Sequence, residues 1–337
     1  MKKTASGQRI LIAKTTHLGD VVISLPMAAS LKHHLPDSTV LFLTHPRTVD
    51  VAARCMAVDA AYAQPETFAD LVALLVDLQV DVFVQANNSE HLAKAAKAAN
   101  IPVRIGSLFR WYNWWLCTHR VAISRGHKHL NKRLLDLEYL QPLGIAGHTL
   151  GELPSLYAFS PPDASPLIVR LGLNLNKRRI ILHPTLITSK AHQWPLAAYQ
   201  ALMRSFDKQQ YQWVITGTAA DRDYLEPLLL NDNGVDKVDT VGLVTLDELV
   251  SLMQSCDGLV AGSTGPVHLA AALGINTLGF YQSNPAIFRR WAPVGRSVTV
   301  MQGVTPCWGD KGGKACPCVQ NISPQQVKAV IDGWFAP

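Results

Sequence analysis

Short apolar runs recur along the whole chain, separated by longer stretches with apolar residues at helical spacing, the pattern of buried strands joined by helices. The first strand is predicted over residues 9–13, Arg-Ile-Leu-Ile-Ala, followed by the loop Lys14-Thr-Thr-His-Leu-Gly-Asp20 and a helix from about Val21 to Leu35 that Pro36 closes. Strands at 40–44, 60–62 and 82–85 and helices at 49–56, 68–78 and 91–99 continue the alternation. From Arg104 to Arg120 the pattern breaks into Arg104-Ile-Gly-Ser-Leu-Phe-Arg-Trp-Tyr-Asn-Trp-Trp115, which reads as a surface excursion. A helix over 127–143 follows, and then 144–176 is rich in Pro, Gly and Ser and holds a domain boundary. The second half restarts the pattern, with strands at 179–183, 213–216, 238–241, 258–261 and 277–280. Its helices fall at 195–206, 221–230 and 246–255, and a closing helix at 324–335.

Strand and helix alternation of this kind implies a parallel sheet covered on both faces. Two such series in 337 residues give an α/β protein with two Rossmann-like domains, 1–165 and 172–337, facing a central cleft, the last helix being free to pack back on the first domain. Ligands of such sheets sit beyond the carboxyl ends of the strands. The unusual loops, at Thr15, His183, Gly217 and Gly262, all fall at such ends. The first loop has a single glycine where a dinucleotide site would have Gly-x-Gly-x-x-Gly, which argues against NAD or FAD.

The loop Gly262-Ser-Thr-Gly-Pro-Val-His268 stands out, because a strand precedes it and the Ala/Leu run ending at Gly274 follows. A small-residue turn there aims free N–H groups and the positive end of a helix dipole at a phosphate. Its plainer reading is a turn capped by Ser263 or Thr264. Asp20 is the one carboxylate of the first loop, either a general base for an acceptor hydroxyl or an N-cap. The segment His183-Pro-Thr-Leu-Ile-Thr-Ser-Lys190-Ala-His-Gln-Trp-Pro195 offers hydroxyls (Thr185, Thr188, Ser189), Lys190 and His192, groups suited to a diphosphate. The excursion around Arg104 and Arg110 is either a basic, aromatic rim for an anionic glycan or a membrane interface, or a loop packed over the sheet.

Composition narrows this only a little. No run is long and apolar enough for a membrane span, and the basic start Met-Lys-Lys does not lead into a secretory signal. Cys55, Cys117 and Cys256 stand alone as expected buried thiols, and Cys307, Cys316 and Cys318 form only a weak zinc pattern, so no metal is expected. The net charge of +6 favours anionic partners such as nucleotide phosphates, acidic glycolipids or membrane headgroups.

Gly19-Asp20-Val-Val-x-x-Leu-Pro26, the His183-Pro to Trp194-Pro195 segment, Gly217-Thr-Ala-Ala-Asp221 and Ser263-Thr-Gly-Pro-x-His-Leu-Ala-Ala-Ala-Leu-Gly274 together resemble glycosyltransferase family nine, the ADP-heptose:lipopolysaccharide heptosyltransferases. Cys318-x-x-x-Ile322 and Val327 resemble that family's closing segment. The resemblance implies a GT-B fold with the acceptor in the N-terminal half, the nucleotide sugar in the C-terminal half, and neither metal nor cofactor. It implies Asp20 as catalytic base and Lys14, Thr15 and Thr16 as acceptor loop, to which the residues' own chemistry adds His17, Arg104 and Arg110 as acceptor contacts. On the donor side it implies Thr185, Lys190, Gly217, Asp221, Thr264, Gly265 and His268, and the hydroxyl, amine and imidazole groups of Thr188, Ser189, His192 and Ser263 in the same loops are expected to join them. Two positions depart from the family pattern: Ser263 stands where Asp is common, and His192 where a lysine usually precedes Trp-Pro. The implied activity is inverting transfer of heptose or a related sugar from ADP-heptose or another nucleotide sugar to a lipopolysaccharide core or related glycan. It would take place in the cytoplasm at the inner face of a bacterial membrane, with no nucleic acid partner. A nucleotide-sugar epimerase of the same fold and a non-catalytic nucleotide-sugar-binding protein are the alternatives.

Overall fold

The computed structural model describes residues 7–123, 130–185, 193–230, 234–303, 305–307 and 318–336. The chain divides into two compact units, Met1–Ser160 and Pro161–Pro337. In the first, strands β1 (Arg9–Lys14), β2 (Thr39–Thr44), β3 (Ala60–Ala63), β4 (Val82–Gln85), β5 (Val103–Ser107) and β6 (His119–Val121) form one parallel sheet in the order β3-β2-β1-β4-β5-β6. In the second, β7 (Arg178–His183), β8 (Tyr211–Ile215), β9 (Lys237–Asp239), β10 (Gly258–Gly262), β11 (Asn276–Tyr281) and β12 (Val298–Gln302) form another, ordered β12-β11-β10-β7-β8-β9. Each unit therefore starts at mid-sheet, runs to one edge and crosses back. The resulting switch points lie between β1 and β4 and between β7 and β10, where open α/β sheets bind ligands.

The central strands are apolar along their length because helices cover both faces: Ile10, Leu11, Ile12, Ile180, Ile181 and Leu182 are all fully buried. Each such side chain contributes roughly 1.5–3 kcal/mol of burial. The second core gathers Trp194, Tyr199, Trp213, Phe280, Cys318, Val319 and Ile322, together with Val327 and Ile331 of the closing helix Pro324–Gly333. That helix packs against the helix Leu196–Arg204 of the second unit. Residues 166–171, left as linker by the sequence reading, belong to the helix Ser165–Leu171 of the second unit.

Several elements differ from the sequence expectation. The helix predicted over 21–35 is two, Leu18–Ser24 and Pro26–His34, because Pro26 starts a new helix at its first turn. β5 and β6 lie inside the excursion; β5 carries Arg104 and Gly106, so no apolar run marks it. β12 and the helix Pro285–Trp291 were also unmarked, the former an edge strand with no fully buried residue. Within the helix predicted over 127–143, residues 132–137 are helical and 138–143 form a tighter 3-10 turn. No helix among the described residues is long and apolar enough to cross a membrane. Cys55, Cys117 and Cys256 are buried free thiols, pushed by burial up to about 11, 11 and 12, and so stay protonated at neutral pH.

Candidate active site

At the first switch point, Lys14 is the last residue of β1. Its ammonium, almost wholly buried, donates to the Ala86 carbonyl just past β4 at 3.1 Å. Thr15 N–H donates to Asn87 Oδ1 at 3.2 Å, so the two strand ends are tied across the crevice. A buried ammonium needs counter-charge. Lys14 Nζ finds it in Asp136 at 3.5 Å and in Asp20 at 3.9 Å. Asp136 comes from the helix Lys132–Leu137, more than a hundred residues away, and its carboxylate has no exposure. It accepts from Ser24 Oγ at 2.7 Å and pairs with Lys132 one turn back on its own helix.

Burial alone would raise the Asp136 carboxyl, but Lys132 and Lys14 together outweigh it and hold it below the usual carboxylate value. Burial in turn pulls the Lys132 ammonium down to about 8 against the attraction of Asp136. Asp20 is the outermost member of this two-lysine, two-aspartate cluster, its side chain 26 % exposed while Lys14 and Asp136 are closed off. It lies in the first turn of the helix Leu18–Ser24, whose N-cap is His17, with no side-chain capping bond. The N-cap position thus falls to His17, and Asp20 stands inside the first turn of the helix. Thr16 Oγ1, nearby in the same loop, is buried without a partner among the described residues, and His17 is exposed.

Arg110 follows β5 at the carboxyl edge of the sheet, the same edge as Asp20, and acts on Tyr139 electrostatically as Asp136 also does. Arg104 departs from expectation. It sits near the start of β5, away from that edge, and its guanidinium is spent on the Leu116 carbonyl at 2.7 Å and the Ile101 carbonyl. Sequence reasoning missed Asp136 and Lys132, which only the return of a distant helix brings to Lys14. The one available signal was a pair of opposite charges four residues apart on a largely apolar helix.

At the second switch point the Gly262 loop ends β10 and the helix Gly265–Leu273 begins at once, closing at Gly274 with φ +79. Thr264 is the N-cap residue, but its hydroxyl donates back to Gly262 O at 3.3 Å rather than capping the helix. Pro266 has no N–H, so the first-turn donors next to the loop are those of Gly265 and Val267. Ser263, Thr264 and Gly265 are half-buried, while His268 is buried one turn on. Gly265 has no positive φ, so its backbone conformation does not itself require glycine.

β7 ends at His183, which is buried and bonded through Nδ1 to Thr216 Oγ1 at 2.8 Å. Burial drives its pKa down to about 4, partly opposed by Asp221, so the ring is neutral at pH 7. Thr185 and Gly217 are neighbours: a Cβ on Gly217 would lie 3.4 Å from Thr185 Cγ2. Asp221 is engaged locally, accepting from Thr218 N at 2.8 Å and Thr218 Oγ1 at 2.6 Å in a capping box. These bonds give it a part in shaping the Gly217 turn. Thr188, Ser189, Lys190 and His192 lie outside the described residues. Trp194, just beyond them, is buried and donates to the Ile322 carbonyl at 2.8 Å, fixing the end of that loop to the closing segment. Among the described residues no group of three His, Cys, Asp or Glu side chains is placed to hold a metal ion.

Two parallel six-stranded units of this topology are those of the GT-B class of proteins, and they place a lysine-held carboxylate at one switch point and a helix N-terminus at the other. The chain belongs to glycosyltransferase family 9 (heptosyltransferase), whose family model matches residues 69–315. It is 23% identical over 299 residues to lipopolysaccharide heptosyltransferase 3 of Escherichia coli, covering 82% of this chain and 83% of that protein. Among solved structures, a family 9 glycosyl transferase of Veillonella parvula aligns over 98% of both chains with a TM-score of 0.81 at 16% identity. The E. coli ADP-heptose lps heptosyltransferase II aligns over 97% of this chain and 98% of that one, also with a TM-score of 0.81, at 20% identity.

Proposed function

We propose that this glycosyltransferase moves heptose, or a closely related sugar, from ADP-heptose or another nucleotide sugar to a hydroxyl of a lipopolysaccharide core or related glycan, with inversion at the anomeric carbon. The first unit takes the acceptor and the second the nucleotide sugar. Asp20 takes the proton of the attacking hydroxyl as the oxygen bonds to the anomeric carbon and the bond to the diphosphate breaks. Gly265 and Val267 N–H groups, the hydroxyls of Ser263, Thr264 and Thr185, and Lys190 and His192 meet the charge that builds on the departing diphosphate. No metal ion or cofactor takes part in this reading. Because the acceptor is lipid-linked, the reaction belongs at a cytoplasmic membrane face.

The observation that carries the proposal is the Lys14 cluster. It fixes a carboxylate at a switch point, holds its neighbours buried and leaves that one group reachable by solvent. An epimerase needs no such second surface for a glycan, and a pure binding protein has no use for a base. The test is Asp20→Asn, assayed for sugar transfer and for nucleotide affinity. Turnover should fall roughly a hundredfold or more with the dissociation constant for ADP unchanged. Transfer within about threefold of wild type would remove Asp20 from the chemistry.

A further inference from the structure

The crossover from β5 to β6 turns its large apolar side chains outward. Phe109 is 58% exposed, Trp111 68%, Trp114 55% and Trp115 68%, whereas Tyr112 and Asn113 of the same segment are buried. The sequence reading left this segment as either a packed loop or a rim; the three tryptophans settle that point, since none is packed into the core. They line an open, mainly apolar cavity of about 410 Å³, and Trp111 and Trp115 meet edge to face at 6.3 Å. Isolated exposed apolar residues are ordinary, but four large ones in seven residues form a patch that marks an interaction surface.

The charge around it selects the partner. Arg120 stacks over Trp114 at 5.0 Å, and Lys97 donates to the Trp115 carbonyl at 3.2 Å, both exposed. Arg110 follows Phe109 directly. The nearest acid in sequence, Glu90, is already paired with Lys94 at 2.8 Å. Residues 91–135 hold nine of the thirty-one Lys and Arg and none of the twenty-five Asp and Glu. The rest of the chain then carries twenty-two bases against twenty-five acids, so the whole positive balance originates in this stretch.

We infer that the Phe109–Trp115 surface docks on a bilayer containing anionic lipid, the indoles seated at the headgroup level and Lys97, Arg110 and Arg120 facing the phosphates. Indoles favour that depth because the ring is apolar while its N–H keeps a polar neighbour. Bases beside them are drawn to the negative surface potential. The wall carries no carboxylate, amide or hydroxyl side chain to order sugar hydroxyls, only three indole N–H groups, which favours the bilayer over a glycan subsite. This adds a partner to the transferase reading and rests on it only for its biological sense, because lipid binding is measured without donor or acceptor.

The full chain is mixed with phosphatidylcholine vesicles, with or without phosphatidylglycerol, and the bound fraction is read by sedimentation and by quenching of tryptophan fluorescence with acyl-brominated lipid. Wild type should sediment with the anionic vesicles and be quenched. Trp114→Ala with Trp115→Ala, both exposed and so harmless to folding, should weaken partition by roughly tenfold or more, since two seated rings are lost. Lys97→Glu with Arg120→Glu should weaken binding to anionic vesicles by roughly fivefold or more per base, the equivalent of one lost base at the surface, and change nothing on phosphatidylcholine. Turnover on a soluble, truncated acceptor should be unchanged in the tryptophan variant. The inference is overturned if wild type ignores anionic vesicles, or if the tryptophan variant partitions like wild type. It is equally overturned if that variant loses turnover on the soluble acceptor, or if the patch proves to hold two copies of the chain together in solution. None of these results touches the role of Asp20.

Discussion

Replacing Asp136 by Asn keeps the shape of the side chain and removes only its charge, so the consequences follow from its neighbours. Lys14 Nζ lies 3.5 Å away and Lys132 is in direct contact. At an effective dielectric constant of about 20, the Lys14 pair alone is worth roughly 5 kcal/mol of attraction, and breaking one member of a buried pair typically costs roughly 3–5 kcal/mol. Lys132 moderates this. Its ammonium is already down to about 8 through burial, and without Asp136 it would shed its proton near neutral pH rather than remain an uncompensated charge. Lys14 keeps Asp20 and the Ala86 carbonyl. The expected loss is therefore at the low end, about 3 kcal/mol, or roughly 6–12 °C in melting temperature for a unit of this size. Lys14, freed from one carboxylate, draws on Asp20, so transfer should also fall roughly tenfold through misplacement of the base. The assays are urea unfolding and initial transfer rates for Asp136→Asn, Lys132→Met and the double variant. In the double variant the cluster returns to one lysine and one aspartate, and much of the stability should come back. Asp136→Asn melting within a degree of wild type, or additive losses in the double variant, would refute the counter-charge argument.

Further outcomes follow from the second unit. Gly265→Val should fold normally, since the residue starts a helix without a positive φ, yet raise the dissociation constant for ADP by roughly tenfold or more by filling the approach to the Gly265 and Val267 N–H groups; equal affinity would abandon the phosphate cradle. Ser263→Asp should also fold, and any change in its preference between ADP and a competing nucleotide diphosphate reports the donor contact at that position. His183, neutral and buried with a pKa near 4 against about 6.5 unfolded, binds its proton more readily when unfolded. Its contribution is thus complete above pH 6.5 and lost as pH falls toward 4. Wild type should lose roughly 3 kcal/mol more than His183→Asn across that window, read by urea unfolding at each pH; parallel curves would show that His183 is not the titrating group.

The sequence by itself determined the strand and helix alternation of both units, because fully buried parallel strands must be apolar along their length and so leave contiguous runs such as Ile10–Ala13 and Leu259–Ala261. It also determined the two switch-point loops, whose small and hydroxyl residues stand next to the predicted strand ends. β5 and β12 left no such run: β5 carries Arg104 and Gly106, and β12 is only half-buried, so both were invisible to periodicity. The tertiary structure alone decided which charges meet. Lys14 and Asp20 are near in sequence, but Asp136 and Lys132 arrive on a helix whose local pattern says only that it is amphipathic. Arg104 shows the reverse. Its place beside the aromatic run suggested an acceptor contact, and the crossover of β5 to β6 instead bends the guanidinium onto backbone carbonyls away from the switch point. Composition could say that tryptophans and bases cluster there. Whether the rings face the core or water depended on which side of a four-residue helix, Asn113–Leu116, the sheet required for Asn113, and that choice left Trp114 and Trp115 outside.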